Sequence, residues 1–248
     1  MKLEKIIAAR SNKTIYQDGD LKIKVFDQSF KKADVLNEAL NQARIEETGL
    51  NIPKIFSVEE IDGKWAIVSE YITGKTLSQL MEENPDKEDE YLEMMVNLHI
   101  DVIAMPCSIM NRLHDKLTDK IMESDLDAIT RYNFCRKIIE MPTRSKICHG
   151  DFTPSNITVA DDGKVYIIDW SHAAQGNASA DVARTCLLLS LSGKEEMAKK
   201  YFDLYCEKTQ ADKDYVKQWF PIVAAALSTD ADDEDKENLL KRIKTMDF

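Results

Sequence analysis

Three carbonyl-bearing polar side chains stand at the ends of apolar runs within one stretch of this chain. Asp151 and Asn156 lie in Ile147-Cys148-His149-Gly150-Asp151-Phe152-Thr153-Pro154-Ser155-Asn156, and Asp169 in Val165-Tyr166-Ile167-Ile168-Asp169-Trp170. A carboxylate and an amide oxygen brought together can hold a hard cation such as Mg²⁺, which prefers oxygen ligands and phosphate. A further carboxylate on the tight loop before them, Asp151, is suited to accept a proton from a bound hydroxyl. Together these groups are the equipment that phosphoryl transfer requires.

The local elements decide whether those groups can meet. Residues 157–159 read as a short strand, Asp161-Asp162-Gly163-Lys164 as a hairpin turn, and residues 165–168 as a second strand. If the strands pair, Asn156 just before the first and Asp169 just after the second fall at the same end of the hairpin. Asp and Asn beside turns commonly bond only their own backbone, and His-Gly-Asp alone is a weak string. The full order is more specific: His-x-Asp, four residues, Asn, strand–turn–strand, then an apolar run ending in Asp.

Upstream, residues 3–9, 14–17 and 21–26 read as three short strands joined by Arg10-Ser11-Asn12-Lys13 and Asp18-Gly19-Asp20. Residues 31–48 carry Val35, Leu36, Ala39, Leu40 and Ala43 at helical spacing, with Asp34 in the first turn and Gly49 as the stop. Residues 54–58 and 65–70 form a second strand pair about Asp62-Gly63. Beyond Asn84-Pro85-Asp86, residues 88–105 repeat Tyr91, Met94, Met95, Leu98, Val102 and Met105 at three and four, and Pro106 ends the helix. This Met-rich stripe is core, and His99 on it reads, like His114, as a packing or surface residue. Residues 108–124 are polar and less periodic, the pattern of an insertion. Residues 126–139, 180–191, 194–208, 212–227 and 234–243 read as further helices, with 212–227 bent or broken at Pro221.

His149-Gly150-Asp151 with Asn156, followed by Ile167-Ile168-Asp169-Trp170, resembles the aminoglycoside phosphotransferase and choline kinase group of protein-kinase-like small-molecule kinases. Protein kinases use the same order of functional residues. This chain, however, has Gly150 where they carry Arg and Trp170-Ser171 where they carry Phe-Gly, and no Ala-Pro-Glu follows. Those departures point to small-molecule acceptors. The resemblance implies an α+β, two-lobe fold: an N-terminal nucleotide-binding lobe over residues 1–72, built on an antiparallel sheet with one helix, and a mainly helical catalytic and substrate-binding lobe over 73–248.

The resemblance also assigns roles. Lys24, in Ile23-Lys24-Val25-Phe26, matches the strand lysine that contacts the α- and β-phosphates; Lys22, which points the same way, is the competing choice. Glu38 matches the acidic partner of that lysine, ahead of Glu46 and Glu47, although a lone helix Glu is commonly just a solvated face. Glu70 and Ile72, in the hinge after the last strand, are expected to offer backbone groups to the adenine edge. The 10–13 link holds no glycine, which leaves Ser11, Asn12 and backbone amides as donors to phosphate. Asp181 reads by itself as a helix cap; the resemblance would have it tie its helix to the catalytic loop.

The implied reaction moves the γ-phosphoryl group of ATP or GTP to a hydroxyl of a small molecule, aminoglycoside-like, choline-like or a sugar. Asp151 is the base, and Asn156 and Asp169 hold Mg²⁺. Two other classes remain open at this point: a silent nucleotide-binding pseudokinase-type module and a protein Ser/Thr kinase. The formal net charge of −11 argues against nucleic acid as a partner and is compatible with a cationic substrate. The five cysteines (Cys107, Cys135, Cys148, Cys186 and Cys206) show no Cys-x-x-Cys spacing and read as reduced packing thiols. The N-terminus carries charges at Lys2, Glu4 and Lys5, its apolar run is too short for a signal peptide, and no stretch approaches a membrane span. The expectation is a cytoplasmic protein with no membrane partner. No motif selects the acceptor or the oligomeric state.

Overall fold

The computed structural model of the chain describes residues 3, 5–10, 12–106 and 109–245. Of the positions singled out above, Lys2, Glu4, Ser11, Cys107 and Ser108 lie outside the described residues. The chain forms two compact units, one of residues 1–85 and 154–172, the other of residues 86–153 and 173–248.

The first unit opens with β1 (Lys5–Arg10), β2 (Lys13–Asp18) and β3 (Leu21–Phe26), a meander with Gly19 in the second turn at φ 59°. After α1 (Lys32–Glu46) come β4 (Ile55–Ile61) and β5 (Lys64–Glu70), which complete a five-stranded antiparallel sheet in the order β1-β2-β3-β5-β4. Asp62 and Gly63 both take positive φ, 49° and 73°, as the type I′ turn favoured by Asp-Gly requires. The sheet is apolar on both faces. Ile23, Val25, Ala66 and Val68 cluster on one, while Phe26 and Ile67 pack with Val35 and Ala39 of α1 on the other. Helical spacing counts Leu36 and Leu40 with the apolar face of α1, but both are exposed, and the buried residues are Val35, Ala39, Asn41 and Ile45. That rotation turns Glu38, next to Ala39, toward the sheet. The sheet is followed by β6 (Gly74–Thr76) and α2 (Leu77–Glu83), the helix starting on a Thr76–Gln79 capping box.

The second unit begins with α3 (Glu88–Ala104), whose first turn is acidic and therefore favourable to the helix dipole. Residues 108–124, which read as weakly periodic, contain α4 (Leu113–Glu123). Leu113, Leu117 and Ile121 recur every four residues along it and pack into this unit's core, with Leu117 and Ile121 buried, a helical spacing that the polar composition of the segment masks. Asp127 caps α5 (Ala128–Glu140) by accepting from the N–H groups of Ile129 and Thr130, and β7 (Lys146–Cys148) follows.

The chain then returns to the first unit. A 3-10 turn over Pro154–Asn156 leads into β8 (Ile157–Ala160) and β9 (Val165–Ile167), which form a second antiparallel sheet in the order β6-β8-β9. From Ala173 onward the chain belongs to the second unit: β10 (Ala174–Gly176), antiparallel to β7, then α6 (Ala178–Leu191), α7 (Glu195–Thr209), α8 (Lys213–Lys217), α9 (Trp219–Leu227) and α10 (Asp233–Thr245). The helix is interrupted at Gln218, one turn before Pro221, whose missing N–H cannot bond the Lys217 carbonyl, and Pro221 sits in the first turn of α9. Ile121, Phe134, Ala183, Trp219 and Ile222 form the centre of this unit's core. Cys148, Cys186 and Cys206 are buried free thiols and Cys135 is a partly exposed one. No helix among the described residues is long and apolar enough to cross a membrane.

Candidate active site

The residues singled out by sequence fall in both units. Lys24, Glu38, Glu70, Ile72, Asn156 and Asp169 belong to the first, and Asp151 to the second. Within the first, the structure brings three of them together. The Lys24 ammonium lies 2.5 Å from Glu38 Oε1 and 3.3 Å from Asp169 Oδ1, a bridge between groups 145 residues apart. Lys24 is only 5% exposed, although it faces away from Ile23 and Val25, because α1 covers its side of β3. Of the two candidate strand lysines, Lys24 is the one shown paired with both carboxylates.

A buried ion pair forms only where each charge is compensated. Burial works against the charge of Lys24, but Asp169 and Glu38 outweigh it and raise its pKa above the ordinary lysine value. Burial also opposes the charge on Asp169; there Lys24, Lys13 and Lys22 prevail and hold the carboxyl well below its usual range. Lys13, the first residue of β2, was not legible as part of this group, since it sits in what reads as a turn. Its own pKa is lowered, by burial and then by repulsion from Lys24. Three ammonium groups thus act on one carboxylate.

Asn156 and Asp169 lie where the hairpin reading puts them. β8 and β9 pair with Ile157 opposite Ile167, and the Asn156 carbonyl accepts from the Ile168 N–H at 2.9 Å, one residue before Asp169. Asp169 itself takes φ 62°, left-handed backbone that a non-glycine residue seldom adopts. Its carboxylate accepts from Ser171 Oγ at 2.9 Å, while the indole N–H of the buried Trp170 donates to Ile167 O at 3.1 Å. Both contacts fix the chain around the strained residue. Glu70 ends β5; its N–H donates to Lys54 O at 2.8 Å and its side chain accepts from Lys54 N–H at 3.2 Å. Ile72 follows in the link to β6 and is half-buried.

In the second unit Asp151 sits on a loop held by a buried polar network. The Asp181 carboxylate accepts from the N–H of His149 at 2.6 Å and of Gly150 at 2.8 Å, charge-assisted bonds that clamp the loop backbone. Asp181 therefore ties α6 to this loop, as the resemblance implies. Gly150 takes φ 78°, a conformation open to glycine at little cost, and its carbonyl accepts from Arg184 Nε. The Asp151 N–H donates to His149 Nδ1 at 3.1 Å, so that nitrogen carries no proton and His149 shapes the loop.

His99 is more than a packing residue. It is fully buried, its Nε2 lies 3.0 Å from Asp181 Oδ2, its Nδ1 is hydrogen-bonded to the Tyr201 hydroxyl, and its ring stacks on Phe152 at 4.3 Å between centroids. Burial opposes the Asp181 charge, and His99 together with the Gly150 N–H overcomes it, keeping the carboxyl below its ordinary pKa. His99, Tyr201 and Arg184 lie on three different helices, and no spacing in the sequence links them. The one signal available was a histidine inside an otherwise apolar helical stripe.

Comparison with known proteins follows the same lines. The model of the phosphotransferase enzyme family matches residues 7–219. Among solved structures, the chain is similar to a thermostable mutant of aminoglycoside phosphotransferase APH(4)-Ia in ternary complex with AMP-PNP and hygromycin B, with a TM-score of 0.71 and 14% identity over 97% of this chain and 91% of that one. It is also similar to a choline/ethanolamine kinase family protein from Mesorhizobium loti, with a TM-score of 0.64 and 15% identity over 99% and 88% of the two chains. At these identities the likeness is one of fold, the α+β kinase-like architecture. The KEOPS complex subunit Bud32 of Pyrococcus abyssi (strain GE5 / Orsay) is 28% identical over 156 residues, 61% of this chain and 50% of that protein, so the match spans half of that relative's length.

Proposed function

From the premise that this chain belongs to the phosphotransferase enzyme family, we propose that it moves the γ-phosphoryl group of a nucleoside triphosphate to a hydroxyl of a small molecule. The observation that carries this reading is the Lys24 ammonium paired at once with Glu38 and Asp169, with Lys13 and Lys22 acting on the same carboxylate. A cluster of ammonium groups that repel one another is stabilised by a polyphosphate. Lys24, braced by Glu38, positions the α- and β-phosphates. Glu70 offers the adenine edge its carbonyl, since its N–H is committed to Lys54, and Ile72 offers its N–H.

The donor set fits a hard divalent cation: Asp169 is held ionised and Asn156 lies at the same end of the hairpin. Among the described residues no group of three or more His, Cys, Asp or Glu is placed to hold a metal alone. Asn156 and Asp169 would hold Mg²⁺ jointly with phosphate oxygens and water, and the ion when bound would neutralise charge on the phosphates. Asp151 orients the acceptor hydroxyl and takes its proton as the oxygen bonds to the γ-phosphorus and the nucleoside diphosphate departs. The His149, Gly150 and Asp181 bonds hold its backbone for that task.

The test is incubation with ATP or GTP, Mg²⁺ and panels of aminoglycosides, amino alcohols, sugars and proteins, with phosphorylated product read by mass. Phosphorylation of a small hydroxyl compound that is abolished in Asp151→Asn supports the reading. Nucleotide binding without product on every panel would leave a silent nucleotide-binding module. A second reading draws on the 28% identity to a subunit of a complex: the chain works within an assembly and its acceptor is a macromolecule. Product on the protein panel alone would favour it.

A further inference from the structure

The second unit contains a cavity of about 530 Å³ that the reaction above does not use. Its volume falls in the range of small-molecule sites. The floor is apolar: Cys186, Ala198 and the rings of Phe202 and Phe220, which meet edge to face at 6.0 Å between centroids. Cys186 is part of that floor rather than a reactive group, because burial pushes its thiol pKa far up. The rim is cationic. Lys199, Lys217 and Arg242 line it against a single carboxylate, Glu195, which lies 3.4 Å from Arg242 Nη2. Lys217 pairs with Asp214 at 3.1 Å on an exposed helix surface, an arrangement that leaves it available at little cost. Lys199 is exposed and makes no hydrogen bond or ion pair among the described residues. A surplus of positive charge at this rim stands out on a chain of formal net charge −11.

An apolar slot with aromatic walls and a mouth of net positive charge selects a ligand with an apolar body and one anionic end. The two helices that line it most fully are also the two that hold the Asp151 loop. On α6, Asp181 and Arg184 bind the loop backbone while Cys186 and Ser190 line the cavity; on α7, Tyr201 holds His99 while Ala198, Lys199 and Phe202 line the cavity. We propose that this cavity is an effector site for a small amphipathic anion, an aromatic or acyl carboxylate, whose occupancy acts through α6 and α7 on the clamp that Asp181 places on His149 and Gly150.

The probes are 2-naphthoate and decanoate, which separate an aromatic from an acyl body, with neutral naphthalene and inorganic phosphate testing each half of the ligand alone. Binding to the full chain is read by calorimetry, and the loop by hydrogen exchange of the His149 and Gly150 amides, which requires no phosphotransfer assay and so stands or falls apart from the function proposed above. The expected result is saturable binding of one or both carboxylates, weakened about tenfold or more in Lys199→Glu/Lys217→Glu, with altered exchange at His149 and Gly150 in the unsubstituted chain alone. Both substituted positions are exposed, so this variant is expected to fold, and an unchanged Tm verifies that. Equal affinity in the variant, or no saturable binding of either carboxylate, removes the site. Binding that leaves the two amides unchanged removes the effector role.

Discussion

At the scale of the residue, the candidate site is a set of charges that tolerate burial only in company. The depressed pKa of Asp169 ties stability to pH. A group whose folded pKa lies below its unfolded value contributes stability that is fully present above the unfolded pKa and is lost as pH falls through the folded one. Acid unfolding is therefore expected to lose this contribution only below the ordinary carboxylate range near 3.8, and Asp169→Asn should flatten that limb of a Tm-versus-pH profile. Asp169→Ala is further expected to abolish the rise in Tm produced by Mg²⁺ and nucleotide together. By contrast, Asp151→Asn should keep nucleotide binding and lose about 10²–10⁴-fold in turnover; near-normal turnover on a true acceptor would remove Asp151 from its proposed role. Asp151, Asn156 and Asp169 were legible because each ends an apolar run beside a turn. Lys24 and Glu38 needed the resemblance, since a strand lysine and a helix glutamate look the same in sequence whether they face solvent or one another.

At the scale of the element, positions are set by close approach and by caps. A Cβ on Gly74 would lie 2.2 Å from the Val159 carbonyl oxygen, so β6 pairs with β8 only because residue 74 has no side chain. Gly74→Ala is expected to cost about 1–3 kcal/mol, read as a lowered Tm with loss of protection in β8. His99→Ala removes one partner of the buried Asp181 carboxylate and is expected to cost about 1–3 kcal/mol, more than Tyr201→Phe, which leaves the His99–Asp181 bond in place. Equal costs would mean that the His99–Asp181 bond contributes nothing to stability. Strands and tight turns were well marked by Asp-Gly and alternation. Less was legible in the helices. The stripe of α4 is regular but set in a polar segment, Pro221 is accommodated in a first turn, and the inward face of α1 is chosen by the sheet it covers.

At the scale of the molecule, the acidity of the chain belongs with the question of the acceptor. With a formal net charge of −11, a cationic acceptor is drawn in by the long-range field and a neutral sugar is not. If the acceptor is cationic, its KM should rise with ionic strength while that of a neutral acceptor stays level. Fold class followed from the resemblance, and the order of elements, a strand meander, a helix, a strand pair and a run of helices, fits it. The acceptor did not, because it depends on which helical side chains converge, and helices α3 to α10 present core spacing and little else to a reader of the sequence.

The first unit is not one continuous segment: residues 1–85 are completed by 154–172, and Lys24 finds Asp169 only 145 positions further along the chain. A growing polypeptide therefore leaves the ribosome with β6 lacking its neighbour and Lys24 lacking one of its two carboxylates until translation has passed residue 172. The amino-terminal third must wait, partly assembled, for β8 and β9 to be made, and a gene fragment ending near residue 85 would encode the five-stranded sheet with β6 left unpaired rather than a self-sufficient module.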